Sequence, residues 1–223
     1  MENLLLWSQK LKIIFKMKLK PLTYHDINSI SHVHTLAFPR SLLTCFGNEA
    51  IRRYYHWLFF GPHSQVYPLG MWKNEKLCGF IFAGKFNGAF SGYIKKNIFY
   101  LLLITIFNFK VLFKNLNFWN KVLIFIKINF AFNKRTHPLI QDSSCSVSFG
   151  LLIIAVLPEM QRQGIGTKLI HQLEKFAKSK KYQFLNLTVE KENKTALNFY
   201  LKHGWKIVRE SKKMSLNKQL KYH

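Results

Sequence analysis

Between residues 156 and 170 the chain reads VLPEMQRQGIGTKLI. An aliphatic run, LLIIAV, ends at Leu157-Pro158; a polar loop with Gly164 and Gly166 follows, and then an amphipathic stretch begins. A loop set between a buried strand and a helix start presents several backbone N–H groups in one direction. Glycine lets the backbone come close to a ligand, and the partial positive charge of a helix N-terminus favours an anion. The chemistry implied is capture of a phosphate or diphosphate. Two common phosphate loops do not fit: Leu169 stands where G-x-G-x-x-G needs its third glycine, and no G-x-x-x-x-G-K-[ST] occurs.

A second group follows at residues 193 to 205, NKTALNFYLKHGW. The plain reading of its Tyr200 is a core tyrosine packing its own helix.

The elements around both groups can be read from periodicity. SVSFGLLIIAVLP (146–158) is a long strand, too apolar for an edge and so expected in the middle of a sheet. TKLIHQLEKFAKSK is a helix with Leu169, Ile170, Leu173, Phe176 and Ala177 as its core stripe. FLNLTVE is a strand, NKTALNFYLKHG a helix capped by Asn193 and stopped by Gly204, and WKIVRE and KMSLNKQL close the sheet. Upstream, 15–22 is a strand, and T-x-x-D at Thr23 opens a helix with Ile27, Ile30, Val33 and Leu36 on one face. Residues 49–60 are a second helix closed by Gly61-Pro62, and 66–85 a hairpin around Asn74-Glu75. Strands alternating with helices make an α/β domain. It is expected over 17–223, with 1–16 an extension in which Lys10, Lys12 and Lys16 break any signal-peptide core and Met17 an alternative start.

Residues 86 to about 141 differ, being rich in Phe, Leu, Ile and Lys. Their central stretch, YIKKNIFYLLLITIFNFKVLFKNLNFWNKVLIFIKINFAFNKR, has no acid, and no run in it is long enough to span a bilayer. Lys110, Lys114, Asn117 and Lys121 fall on one helical face. The expectation is one or two basic amphipathic helices over 91–136, with Lys127 near the same face, lying on an anionic membrane. The rival expectation is a contact with a second copy of the chain, a homodimer.

With 34 Lys and Arg against 10 Asp and Glu, the formal net charge is +24. That attracts anions: a phosphorylated cofactor, a nucleotide-linked substrate, anionic lipid or nucleic acid. Nucleotide bias toward Lys, Asn, Ile and Phe accounts for the charge equally well. No stacking or recognition motif for nucleic acid is present. The three cysteines, Cys45, Cys78 and Cys145, form no metal-ligand or redox pair, as in a reducing compartment; the chain is expected in the cytoplasm or at the inner face of a membrane.

Taken together, V-x-P, then Q-R-Q-G-I-G, then N-K-T-A-L-N-F-Y-L-K-H-G-W resembles the GNAT superfamily of acetyl-CoA-dependent N-acetyltransferases. The family pattern Q/R-x-x-G-x-G/A falls on Gln161, Gly164 and Gly166. The later pattern N-x-x-A-x-x-F-Y-x-x-x-G-F falls on Asn193, Ala196, Phe199, Tyr200 and Gly204, with Trp205 in place of Phe. The resemblance is strongest over 146–216. It implies the GNAT fold, a mixed central sheet flanked by helices, here with a basic apolar helical insertion, and acetyl-CoA as cosubstrate with no metal. It implies that the strand 151–156 splays from its neighbour at a bulge, freeing backbone groups of Ile154, Ala155 and Val156 for the pantetheine arm and the thioester carbonyl. The backbone N–H groups of Arg162, Gln163, Gly164, Ile165, Gly166 and Thr167 would hold the diphosphate beside Gln161. Asn193 would touch the cofactor arm, and Tyr200 would protonate the thiolate.

No strong base accompanies this machinery. The central strand has no acid, and the position where protein N-terminal acetyltransferases of the family carry a Glu is Thr188. Glu190, two residues on, is expected on the face opposite a base. His34, Glu49 and Asp142 remain as candidates, each with a surface or core role as the alternative. Deprotonating a lysine-like amine at pH 7 costs roughly 4.6 kcal/mol, an α-amine about 1.4. A site without a strong base therefore favours low-pKa amines, and the positive charge disfavours cationic acceptors. The layout is also similar to that of a GNAT subgroup linked to surface-polysaccharide assembly. The expected acceptor is an amino sugar on a nucleotide or lipid carrier. The alternatives are a protein or peptide amine or, in another class, a non-catalytic membrane or nucleic-acid binder on a GNAT scaffold.

Overall fold

The hairpin at Asn74-Glu75 closes in two residues, both with positive φ, 49° and 59°. That is the geometry whose twist matches the flanking strands. It joins β2 (Gln65–Lys73) to β3 (Lys76–Lys85). The computed structural model describes residues 17–107 and 148–222, Lys212 excepted. Within these residues the other strands are β1 (Lys18–Pro21), β4 (Ser148–Val156), β5 (Phe184–Glu190), β6 (Lys206–Glu210) and β7 (Lys213–Gln219). They form one mixed seven-stranded sheet in the order β1-β2-β3-β4-β5-β7-β6, in which only the β4–β5 pair is parallel.

One face of the sheet carries α1 (Ile27–Ala37), the short α2 (Leu42–Cys45), α3 (Asn48–Phe60) and α4 (Ser91–Phe107). The Thr23 N–H donates to Asp26 Oδ2 at 2.8 Å, the expected start signal ahead of α1. The other face carries α5 (Ile165–Ser179) and α6 (Lys194–Lys202). In α5 the expected stripe is the buried one: Leu169, Ile170, Leu173 and Ala177 are fully buried and Phe176 packs partly beside them. Each fully buried leucine or isoleucine there contributes roughly 1.5–3 kcal/mol. The helix begins at Ile165, two residues before the expected start, because Gly164 takes φ +77° and turns the chain into it.

Of the apolar insertion, α4 is helical with a kink at Asn97, where the Asn97 side-chain amide donates to the Tyr93 carbonyl at 2.9 Å. Tyr93 and Ile94 are buried against α3, while Phe99 is 80% exposed and Leu102 and Leu103 are also exposed. Lys110, Lys114, Asn117, Lys121, Lys127, Asp142, Cys145 and the extension 1–16 lie outside the described residues. No described helix is long and apolar enough to cross a membrane.

One expectation needs correction. Thr188 and Glu190 are both exposed, on one face of β5, because strand side chains repeat every two residues. Glu190 is not turned away from Thr188; it pairs with Lys213 at 2.8 Å.

Candidate active site

The site is built by a failure of pairing. β4 and β5 are joined only at Ser148↔Phe184, Phe149↔Leu185 and Gly150↔Asn186. Beyond Gly150 the two strands part. On its other side β4 stays paired with β3 up to Gly79↔Val156, but with a slip: Phe82 pairs Ile153 and Ala83 pairs Leu151, leaving Leu152 as an extra residue. This one-residue bulge reverses the alternation of side chains. Phe149 and Leu151 pack in the core under α5 and α6, whereas Ile153 and Ala155 pack in the core under α1, α3 and α4.

The ladder also decides which backbone groups are free. The Leu157 N–H donates to the Cys78 carbonyl at 2.9 Å. By the alternation of an antiparallel ladder, the N–H and C=O of residues 153 and 155 then turn toward β3, and those of Ile154 and Val156 turn to the open side. A thioester arm laid in that gap would find backbone donors and acceptors from Ile154 and Val156. Ala155, also expected at the arm, spends its backbone on β3.

The loop after β4 is held by its own side chains. Gln161 Nε2 donates to the Val156 carbonyl at 3.2 Å, and Gln163 Nε2 to the Glu159 carbonyl at 3.1 Å. These two glutamines therefore shape the loop. Arg162 takes φ +60°, an uncommon conformation for a residue with a Cβ. The first intrahelical bond runs from the Lys168 N–H to the Gly164 carbonyl, 3.0 Å. Among the described residues nothing accepts from the N–H groups of 162–167. This is the orphan set of a helix N-terminus with two loop donors added, and a Cβ placed on Gly164 would meet nothing within 4 Å. Free donors and open space fit a diphosphate.

Asn193 caps α6: its Oδ1 accepts from the Ala196 N–H at 3.0 Å. Its oxygen is thus committed, and the amide NH2 is the part left to reach a ligand. Tyr200 is buried, packed on Phe199 and Trp205 with ring centroids 5.4 and 5.7 Å away. Burial pushes its phenol well above the ordinary value of 10. The hydroxyl is therefore a permanent donor at neutral pH. Tyr200 shares one apolar cluster with Ile154 and Val156, which ties α6 to the gap.

The three candidate bases do not gather here. Glu49 is bound on α3 by Arg52 at 3.1 Å and Arg53 at 2.9 Å. Asp142 lies outside the described residues. His34 is 4% exposed, its Nδ1 2.8 Å from the Tyr55 hydroxyl and its Nε2 3.3 Å from Ser41 Oγ. Burial lowers its pKa from 6.5 to about 4, so it is a neutral core imidazole at pH 7. The linkage has a definite sign. The unfolded chain takes up a proton near pH 6.5 that the folded chain refuses until about pH 4. Stability is then complete above pH 6.5 and declines by about 3 kcal/mol on acidification to pH 4. Denaturant melts of wild type and His34→Gln across pH 4–7 check this: the variant should be less stable at pH 7 but flatter with pH.

Sequence reasoning missed two participants. Leu152 sits in a uniformly aliphatic run and gives no signal of a bulge. His203 lies between Lys202 and Gly204 as an ordinary helix end, yet it bonds Thr167 in the first turn of α5 at 3.0 Å. No group of three His, Cys, Asp or Glu among the described residues could hold a metal ion.

Residues 144–205 match the model of the acetyltransferase (GNAT) family. No curated protein sequence matches the chain significantly. Solved structures are similar in fold. One is the PaiA N-acetyltransferase of Thermoplasma acidophilum in complex with coenzyme A, with 14% identity, 92% of this chain and 99% of that one covered, and a TM-score of 0.55. A second is the ribosomal-protein-S18-alanine N-acetyltransferase of Escherichia coli, with 13% identity, 93% and 96% covered, and a TM-score of 0.54. A third is YncA of Salmonella typhimurium, described as a putative acetyltransferase, with its cofactor acetyl-CoA, with 12% identity, 93% and 95% covered, and a TM-score of 0.51. Residues 144–205 are thus similar in sequence to the GNAT acetyltransferase family, and the described residues share the fold of acetyltransferases solved with coenzyme A or acetyl-CoA.

Proposed function

We propose that the protein transfers an acetyl group from acetyl-CoA to a low-pKa primary amine, with an amino sugar on a nucleotide or lipid carrier as the leading acceptor. The observation that carries this is the sheet face next to the gap. On β5 and β7 the cross-strand pairs are Asn186↔Asn217, Thr188↔Ser215 and Glu190↔Lys213. Asn186, Thr188 and Glu190 are exposed, and no described residue covers them. Two of the three pairs are neutral amides and hydroxyls, which suit a polyhydroxylated ligand. The one acid, Glu190, is paired with Lys213, so among the described residues this face offers no unpaired carboxylate to a lysine-like amine.

Cosubstrate acetyl-CoA supplies the activated acetyl group. The chain's own residues do the rest. N–H groups of 162–167 would bind the diphosphate, backbone groups of Ile154 and Val156 would orient the arm, and the Val156 N–H would meet the thioester oxygen. Asn193 would steady the arm through its amide, and Tyr200 would donate at the sulfur. Thiol release with acetyl-CoA against a panel of amines tests the reading. Turnover with UDP-linked amino sugars, and little with lysine peptides or polyamines, is the expected result. Turnover with N-terminal α-amines alone would favour the peptide reading, which the structural likeness to a protein alanine N-acetyltransferase also supports.

The exposed Phe99, Leu102 and Leu103 of α4, beside the exposed Lys95 and Lys96, extend the basic apolar pattern into residues 108–136. They support a role for the insertion in holding the enzyme on an anionic membrane, near a lipid-linked acceptor. Each lysine at such a surface contributes about 1 kcal/mol at low salt. In liposome sedimentation, binding should rise with anionic lipid, fall with salt and weaken when Lys110, Lys114, Lys121 and Lys127 become Gln. A protein that ignores liposomes but runs as a dimer dissociated by deleting the insertion would make the helices a subunit contact.

A further inference from the structure

Thr167 and His203 are joined in a way that bears on the diphosphate loop. His203 Nδ1 lies 2.7 Å from the Phe199 carbonyl oxygen. A carbonyl only accepts, so Nδ1 carries hydrogen. In the neutral ring, Nε2 then holds a lone pair. Thr167 Oγ1, 3.0 Å from Nε2, must donate its one proton there. Thr167 is the third residue of α5, among the free N–H groups of 162–167, and helix side chains lean toward the N-terminus. Its hydroxyl proton is therefore spent on His203 and withheld from any anion at the loop.

An arriving diphosphate offers only acceptors. The threonine can serve it while keeping the histidine bond if Nε2 gains a proton and donates to Oγ1, which frees the hydroxyl hydrogen for a phosphate oxygen. The doubly protonated ring then donates at both nitrogens, to Phe199 and to Thr167, and adds a positive charge one hydroxyl away from the anion. We infer that His203 is a positioning residue of the diphosphate site, which takes up a proton as the cofactor binds and turns the Thr167 hydroxyl toward the diphosphate. The inference rests on the assignment of the loop as the cofactor site.

The ionic surroundings of His203 are mixed. From α5, His171 faces it with ring centroids 6.3 Å apart. From β7, Lys218 donates to the His203 carbonyl and to Glu174 of α5, both at 2.6 Å. Lys202 precedes it on α6, and Lys168 follows Thr167. The Lys218 charge is balanced by Glu174, which leaves His171 as the rival titrating group.

The test uses dephospho-coenzyme A, whose diphosphate diester has no phosphate proton titrating near neutrality. Calorimetric titrations at pH 6–8, in buffers of different ionisation heat, count the protons exchanged on binding. Wild type should take up a fraction of a proton and bind roughly five- to tenfold more weakly at pH 8 than at pH 6. His203→Asn and Thr167→Val should each remove the uptake and flatten the pH dependence, while His171→Asn retains both. Should His203→Asn fail to fold, the imidazole NMR titration of wild type decides: the His203 midpoint must move to higher pH on adding ligand. Tight binding with no proton uptake, or with uptake lost in His171→Asn instead, overturns the inference and leaves the cofactor site standing. No binding at all in wild type would instead remove the site on which it rests.

Discussion

Gly166→Asp is expected to abolish saturable binding of coenzyme A while the protein still melts cooperatively. Two effects act together and can be separated. A Cβ on Gly166 would lie 3.2 Å from Phe199 Cζ, so the ring must give by a few tenths of an ångström. That is a modest strain at the edge of a half-buried ring. The carboxylate is the larger effect. It would sit among the N–H groups of 162–167, where it gains the helix-dipole stabilisation meant for the ligand, and it would face the diphosphate with like charge, a juxtaposition that costs several kcal/mol. The expected loss is about 10²-fold or more in affinity. Gly166→Ala adds the bulk alone and should lose less than about tenfold, consistent with 1 kcal/mol of local strain. Titration calorimetry with coenzyme A, beside thermal melts, reads both variants. Wild-type affinity in the Asp variant would mean that the diphosphate is not held at this loop.

Tyr200→Phe should lower kcat by about 10²-fold with little change in melting temperature. The ring is buried, but its hydroxyl does not number among the buried polar atoms without a partner, and no hydrogen bond among the described residues involves it. Removing it therefore breaks no bond within the protein and should change stability little. A purely packing tyrosine would show neither effect on kcat. The raised phenol pKa also fixes a pH signature. The protonated form, the one that donates, persists through pH 10, so the falling alkaline limb of the rate profile cannot come from this residue. Full transfer to a thiolate with an ordinary thiol pKa near 8.5 is uphill by at least about 2 kcal/mol. Hydrogen bonding to the developing charge, with water completing the transfer, is then the larger part of its role. Unchanged turnover in the Phe variant would assign the whole task to water.

What the sequence determined by itself is what depends on local chemistry. Asn74-Glu75 specified a tight hairpin, Thr23 with Asp26 specified a helix start, and Leu169, Ile170, Leu173 and Ala177 specified the buried stripe of α5 by their spacing alone. The turn into α5 at Q-R-Q-G-I-G was legible for the same reason: glycines, a strand end and a helix start act within ten residues of one another. What depends on register and on distant partners was not legible. In the run LLIIAV every residue is apolar, so alternation carries no information, and only the pairing with β3 fixes Leu152 as the bulge that frees the Ile154 and Val156 backbone. The pairing of Glu190 with Lys213, on the same face as Thr188, depends on the register of β5 with β7. His34 and His203 are the same residue type in similar helical contexts. Tertiary structure alone buried one against Tyr55 as a neutral core group and set the other against Thr167, because which helix ends meet is decided by packing across the whole sheet.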